Sequence, residues 1–212
     1  LAEKGVSDET TKKFIDASGM LSRIGYRMEI EAALRTKNMS GISLLGIQDF
    51  SGQSTALVGM MNALGEAKPY DFANPEEFAT FFSPETALLE TEKFVWTNDE
   101  EFKGKLMLAN YGPDDMSGKM FYRLSDGKTT VAEGKTDNVE FKQGDVTTAE
   151  EITISLAGVK EPKQLKLTIG LGDVENYYDI WVYPSGEKAS EGDVYITEFL
   201  DEEAMYVLGE GG

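Results

Sequence analysis

The chain has 212 residues, with 20 Lys and Arg against 38 Asp and Glu, a formal net charge of −18 and a sequence pI of about 4.4. It holds no His and no Cys, which removes Cys/His zinc sites, Ser-His-Asp triads, thiol nucleophiles and disulfides. The acidic balance repels phosphate backbones and argues against a nucleic-acid partner, leaving carboxylate chemistry, backbone and aromatic recognition, oxygen-ligated metals such as calcium, or no chemistry at all.

A hydrophobic content of 41% with 10% aromatics is that of a globular chain. The longest apolar run, Ile42 to Ile47, is interrupted by Ser43 and Gly46, so no membrane span is expected. The first residues also lack the basic-then-apolar pattern of a signal peptide.

Residues 1–90 read as helices around one buried strand. Ser7-Asp8-Glu9 is a helix start, a capping hydroxyl followed by first-turn acids. Phe14, Ile15, Leu21, Ile24 and Met28 then recur near helical spacing, and Gly19 and Gly25 are expected to break or bend the stretch. A second helical stretch carries Ile30, Ala33 and Leu34 and ends near Asn38 to Gly41. Within it, Glu31 and Arg35 have the i,i+4 spacing of a surface ion pair.

Gly41 to Ile47 is short, apolar on both faces and bounded by turn residues, as in a strand of a covered parallel sheet. It runs into the polar loop Gln48-Asp49-Phe50-Ser51-Gly52-Gln53. Ser54 can cap a following helix with Leu57, Val58, Met61 and Leu64 on one face. Asn74-Pro75-Glu76-Glu77 is a further helix start, with Phe78, Phe81 and Phe82 as its apolar face and Pro84 as its stop.

From about Lys93 the period changes from 3.6 to 2. Phe94/Trp96, Leu106/Leu108, Met120/Tyr122/Leu124, Ile152/Ile154/Leu156, Leu165/Leu167/Ile169 and Tyr178/Ile180/Val182 alternate, and Asp126-Gly127 is a hairpin turn. About seven or eight short strands over residues 91–184 predict an antiparallel β-sandwich of immunoglobulin-like size. Residues 185–212 read as a linker, a short strand Val194-Tyr195-Ile196 and a helix starting at Asp201. Both ends look like parts of a larger α/β protein; the alternative is a compact protein whose single apolar strand joins the sandwich.

The candidate site is Gln48-Asp49, with Ser51 and Gln53 in the same loop, just past the C-terminal end of the expected buried strand. Parallel α/β sheets and barrels place ligands there. The plainer alternative is that Gln48 and Asp49 satisfy local backbone groups. Asp49 alone cannot run hydrolysis that needs two carboxyls. Trp96, Tyr177, Tyr178, Trp181 and Tyr183 could stack on sugar rings, although alternating aromatics in a sandwich are more often core. The turn acids Asp99-Glu100-Glu101 and Asp114-Asp115 have no EF-hand spacing, and no metal or cofactor is expected.

The ordered strings Tyr26 to Thr36, Gly41 to Gln53, Ala56 to Met61, Pro75 to Phe78, Val95 to Glu100, Ala109 to Pro113 and Asp179 to Pro184 resemble the C-terminal half of bacterial glycoside hydrolases similar to family 2, of the β-galactosidase and β-glucuronidase type, as found in gut Bacteroidetes. The resemblance implies an α+β chain: the end of a (β/α)8 barrel at 1–90 with Gly41 to Ile47 as its eighth strand, an immunoglobulin-like sandwich at 91–184, and a further module from 185. It implies a retaining enzyme whose two catalytic glutamates lie on earlier strands, so none is matched here. Gln48, Asp49 and Gln53 would then be substrate contacts. Carbohydrate and the rest of the parent enzyme would be the partners, and the compartment periplasmic or extracellular, with any signal outside this sequence. Met61 to Ala67 lacks an aromatic expected in relatives. The rival expectation is a non-catalytic carbohydrate-binding or cell-surface interaction module.

Overall fold

In the computed structural model, which describes residues 2–50, 52, 59–186 and 195–210, Ser7 caps the first helix as expected. Its side chain accepts a hydrogen bond from the Thr10 N–H. The helix, α1, is continuous over Asp8–Leu34, about 40 Å at 1.5 Å per residue. Neither Gly19 nor Gly25 interrupts it. Gly19 is where α1 meets Phe72: a Cβ there would run into the Phe72 ring, whereas one at Gly25 would meet nothing within 4 Å. The helix ends at Leu34, and Asn38 takes a positive φ of 61°, which Asn tolerates well.

The strand expected at Gly41 to Ile47 does not form. Leu45 is 96% exposed, and the segment has no parallel neighbour among the described residues. A strand without a partner leaves its N–H and C=O groups unladdered. What forms instead is a pair of isolated bridges, Gln48 to Met61 and Met61 to Ala67. The helix expected after Ser54 falls partly on residues 53–58, outside the described residues, and 59–64 is not helical. Asn74 caps a short helix, α2 (Pro75–Ala79), accepting from the Glu76 and Glu77 N–H groups with Pro75 at its start.

The rest is mostly β-sheet, and the chain as a whole is mixed α+β. The strands are β1 (Glu85–Glu90), β2 (Val95–Thr97), β3 (Glu101–Asn110), β4 (Met116–Gly118), β5 (Phe121–Ser125), β6 (Thr130–Lys135), β7 (Val139–Phe141), β8 (Asp145–Ser155), β9 (Lys163–Leu171) and β10 (Val174–Tyr183). They form a three-stranded sheet β1-β3-β8, a five-stranded sheet β2-β10-β9-β5-β6, and the small pair β4-β7. The pairs are antiparallel except β2 with β10, which run parallel with Trp181 opposite Val95. Phe102, Leu106, Leu108, Leu165, Leu167, Ile180 and Val182 fill the core between the two large sheets. The alternation in β10 follows the expectation, with Tyr178, Ile180 and Val182 inside.

The three-stranded sheet is covered twice. In β8 Ala149 is an extra residue, since Leu106 faces Glu150 and Met107 faces Thr148. Such a bulge bends the strand. Beyond it, Met107 and Ala109 pack with Leu88, Ile30, Leu34 and Phe81 on the outer side of the sheet, while Leu108 stays in the inter-sheet core. The layers are therefore helix, three strands, five strands. Strand β1 begins earlier than the change of period near Lys93, because Ala87, Leu88 and Leu89 are buried on both faces and do not alternate. The strand expected at Val194 to Ile196 is absent at Tyr195 and Ile196, and Val194 lies outside the described residues. The last helix, α3 (Glu202–Gly209), is capped by Asp201, which accepts from the Ala204 N–H.

The Phe72 contact makes a paired prediction. Gly19→Ala should lower the melting temperature by forcing the ring aside, at about 1–3 kcal/mol. Gly25→Ala should raise it by about 0.5–1 kcal/mol of helix propensity. Thermal unfolding followed by circular dichroism reads both, and equal shifts of one sign would contradict the packing described.

Candidate functional site

Asp49 sits where three short extended pieces meet. The Asp49 N–H donates to Met61 O at 2.9 Å, the Met61 N–H to Ile47 O at 3.0 Å, and the Lys68 N–H to Met60 O at 3.1 Å. Gly59 is required at this crossing, because a Cβ would come within 2.7 Å of the backbone of Ile47 to Asp49. Asp49 is 8% exposed. Its Oδ1 accepts from the Gly59 N–H and from Lys68 Nζ, each at 2.9 Å. Gln48 donates through Nε2 to Ala63 O at 2.9 Å. Gln53 and Ser51 lie outside the described residues.

Both described candidates are thus held by their own loop. Asp49 also borders a cleft of about 590 Å³ whose walls include Phe14, Ile15, Ser18, Lys68, Tyr70 and Phe72. Among the described residues of that wall it is the one carboxylate, and Lys68 pairs with it at 2.9 Å. One neutralised carboxylate can orient a hydroxyl but cannot supply both acid and nucleophile. No group of three or more acidic residues suited to a metal ion occurs among the described residues.

Sequence reasoning missed the polar knot that fixes α1 on the sandwich. Glu31 is 4% exposed. Its Oε1 accepts from Arg27 Nε at 2.9 Å and from Asn176 Nδ2 at 3.2 Å, and its Oε2 accepts from Arg35 at 3.4 Å. Arg27 donates to Asn176 Oδ1 at 2.8 Å and to the Tyr177 carbonyl, and its guanidinium lies 4.3 Å from the Tyr178 ring centroid. Asn176 Nδ2 donates to Ala87 O at 2.8 Å, Leu89 N–H to the Tyr178 hydroxyl at 3.0 Å, and Arg35 to Leu89 O at 3.2 Å. Burial alone would lower the Arg27 pKa, but the Glu31 charge and the Tyr178 contacts hold it above the ordinary value. Two sequence signals pointed here: a Glu with Arg at both i−4 and i+4, and a polar Asn at an inward position of an alternating strand.

The aromatics expected to stack on sugars are mostly engaged. Trp96 is buried against Phe102. Tyr177 lies between Arg27 and Lys166, with its hydroxyl donating to Glu77. Burial, reinforced by that carboxylate, pushes the Tyr177 phenol up to about 12.

Residues 100–184, from β3 to just beyond β10, match the model of a domain of unknown function (DUF8488). No curated protein matches the chain. Similar solved structures include a β-glucosidase from Erythrobacter marinus, at 10% identity and a TM-score of 0.36 over 46% of this chain and 15% of that one. A β-glucosidase from Listeria innocua, solved with laminaribiose, has 14% identity and a TM-score of 0.35 over 50% of this chain and 17% of that one. The sporulation control protein of Bacillus subtilis has 13% identity and a TM-score of 0.39 over 49% of this chain and 51% of that one. Glycoside hydrolases are therefore among its structural neighbours at low TM-score, and the chain spans less than a fifth of those two enzymes.

Two predictions come from the knot and its neighbour. Glu31→Gln leaves Arg27 and Arg35 beside a neutral amide and should cost about 3 kcal/mol, read as a lower denaturation midpoint in urea. For Tyr177, the folded pKa of about 12 lies above the ordinary value of 10.0. Between those values the unfolded chain releases a proton that the folded chain keeps, so stability falls as pH rises through that window. Tyr177→Phe should flatten the fall in urea midpoints measured from pH 9 to 12.

Proposed function

We propose that the chain is the C-terminal part of a retaining glycoside hydrolase resembling family 2 and is by itself non-catalytic. Residues 1–90 are then the end of a (β/α)8 barrel, 91–184 an immunoglobulin-like sandwich, and 185–212 the start of a further module. The observation that carries this is the second face of α1. One face packs on Phe72, Phe81 and the sandwich; Phe14, Leu21 and Met28 recur every seven residues on another, with Ile24 between them. Leu21 is 69% and Met28 62% exposed. A helix apolar on two faces belongs between two packed bodies. Leu45 and Phe50, in the expected eighth strand and its loop, and Leu64, in the helix expected after it, are exposed as well. The remaining barrel units would cover these side chains.

In this reading Gln48, Asp49 and Gln53 belong to the loop that would border the sugar pocket of the parent. The internal bonds of Gln48 and Asp49 shape that wall, and Asp49 contacts substrate at most. The catalytic carboxylates come from the parent's earlier strands, and the protein works in the periplasm or outside the cell. The rival reading as a sugar-stacking module is less favoured, since Trp96 and Tyr177 are occupied.

The purified 212-residue chain, shown folded by circular dichroism, should not turn over aryl glycosides and should bind a dye that reports apolar surface. Adding the polypeptide encoded upstream should displace the dye and restore turnover. Turnover by the chain alone would overturn the proposal.

A further inference from the structure

The outer face of the five-stranded sheet carries a groove of about 550 Å³ beside the Asp126-Gly127 turn. Arg123, Lys128 and Lys166 converge on it, together with Ser125, Gln164 and Asp179. Register sets their positions: Lys166 stands between Ser125 on β5 and Asp179 on β10, and Arg123 stands opposite Thr168, two pairs further along and so on the same face. In a chain of net charge −18, a cation on the surface has carboxylates in excess to pair with. Among the described residues Arg123, Lys128 and Lys166 form no ion pair within 4.0 Å, as is also true of Lys103, Lys119 and Lys135; what sets these three apart is that they border one groove.

The local acids do not cancel them. Asp126 is taken by Lys163 at 2.8 Å and by the Lys128 and Thr129 N–H groups. Lys166 has Asp179 as its cross-strand neighbour but places its ammonium 4.1 Å from the Tyr177 ring centroid. Arg123 has Glu133 opposite it on β6 and makes no ion pair with it. The groove therefore offers the Arg123 and Lys128 charges, a Lys166 ammonium resting beside the Tyr177 ring, the Asp179 carboxylate, an amide and hydroxyls on a rigid sheet.

We propose that this groove binds an acidic oligosaccharide, one whose sugar rings carry carboxylate groups. Arg123 presents a planar fork suited to a carboxylate, and Lys166 and Lys128 add charge toward the Asp126-Gly127 turn. Asp179, Gln164 and Ser125 match ring hydroxyls. The preference for an anion rests on the groove alone; the choice of a saccharide rests on the glycosidase reading above. The site lies on β5, β9 and β10 and shares no residue with the Asp49 cleft.

The test uses the full 212-residue chain and trigalacturonate, with a neutral trisaccharide and sodium sulfate as comparison ligands. Calorimetry and amide shift changes should show trigalacturonate binding that moves β5 and β9 signals and weakens with added salt. Arg123→Ala and Lys166→Ala should each weaken it about tenfold, the cost of a charge-assisted bond. Lys103→Ala, on the other sheet, should leave it unchanged. Melting curves establish that the variants fold, since both side chains are exposed. No binding, equal binding of the neutral sugar, sulfate binding as tight as that of trigalacturonate, or indifference to both variants would each overturn the proposal. Aryl-glycoside turnover by the chain alone, with trigalacturonate still bound here, would sink the glycosidase reading and leave the groove standing.

Discussion

A carboxylate cannot be taken out of water without partners, and Glu31 sets the terms on which the helix and the sheets meet. Its two oxygens need Arg27, Arg35 and Asn176 at once. Asn176 is fixed by β10 and reaches across to the carbonyl of Ala87 in β1. The knot therefore ties α1, one strand of the three-stranded sheet and one strand of the five-stranded sheet at a single point. Aliphatic packing among Ile30, Leu34, Leu88 and Met107 gives adhesion at this junction, but apolar contacts alone allow a helix to slide or rotate. Directional bonds to a buried charge fix one orientation, a role for which such groups are retained in some proteins.

The layers follow from that constraint. With α1 docked over β1 and the end of β3, that part of the three-stranded sheet is apolar on both faces and loses the alternation that an exposed sheet shows, while Lys103, Glu151 and Thr153 further along keep the outer face solvated. Strand β3 keeps strict alternation past the bulge in β8, with Leu106 and Leu108 in the inter-sheet core and Met107 and Ala109 under the helix. The five-stranded sheet keeps one wet face, where its charged groove lies.

Legibility in the sequence tracked how local each cause was. The caps at Ser7, Asn74 and Asp201 are local hydrogen bonds and were readable, as were the alternating strands β9 and β10, which have one solvated face. The extent of α1 was not, because Gly19 answers to Phe72, a contact more than fifty residues away. Strand β1 was hidden by burial on both sides. The strand expected at Gly41 to Ile47 had the right pattern but no parallel neighbour among the described residues. Of the candidate site, Gln48 and Asp49 were singled out from their place after an apolar run, and the plainer alternative of local bonding describes the contacts they make. Lys68 and Gly59 complete that corner without any motif to announce them. Glu31 was read as a surface partner of Arg35, since i,i+4 spacing does not say which face of a helix will be covered.

The parallel pairing of β2 and β10 has a mechanical consequence. Trp181 N–H donates to Phe94 O at 2.9 Å, and Asn98 N–H to Tyr183 O at 2.8 Å. Just beyond, Ser185 N–H donates to the Asn98 side chain at 2.8 Å. Parallel strands have their incoming and outgoing ends at opposite ends of the ladder. Tension between the start of β2 and the end of β10 therefore runs along the strands and strains these bonds together. An antiparallel hairpin pulled from its open end would yield one bond at a time, like a zip; this pair resists like a lap joint.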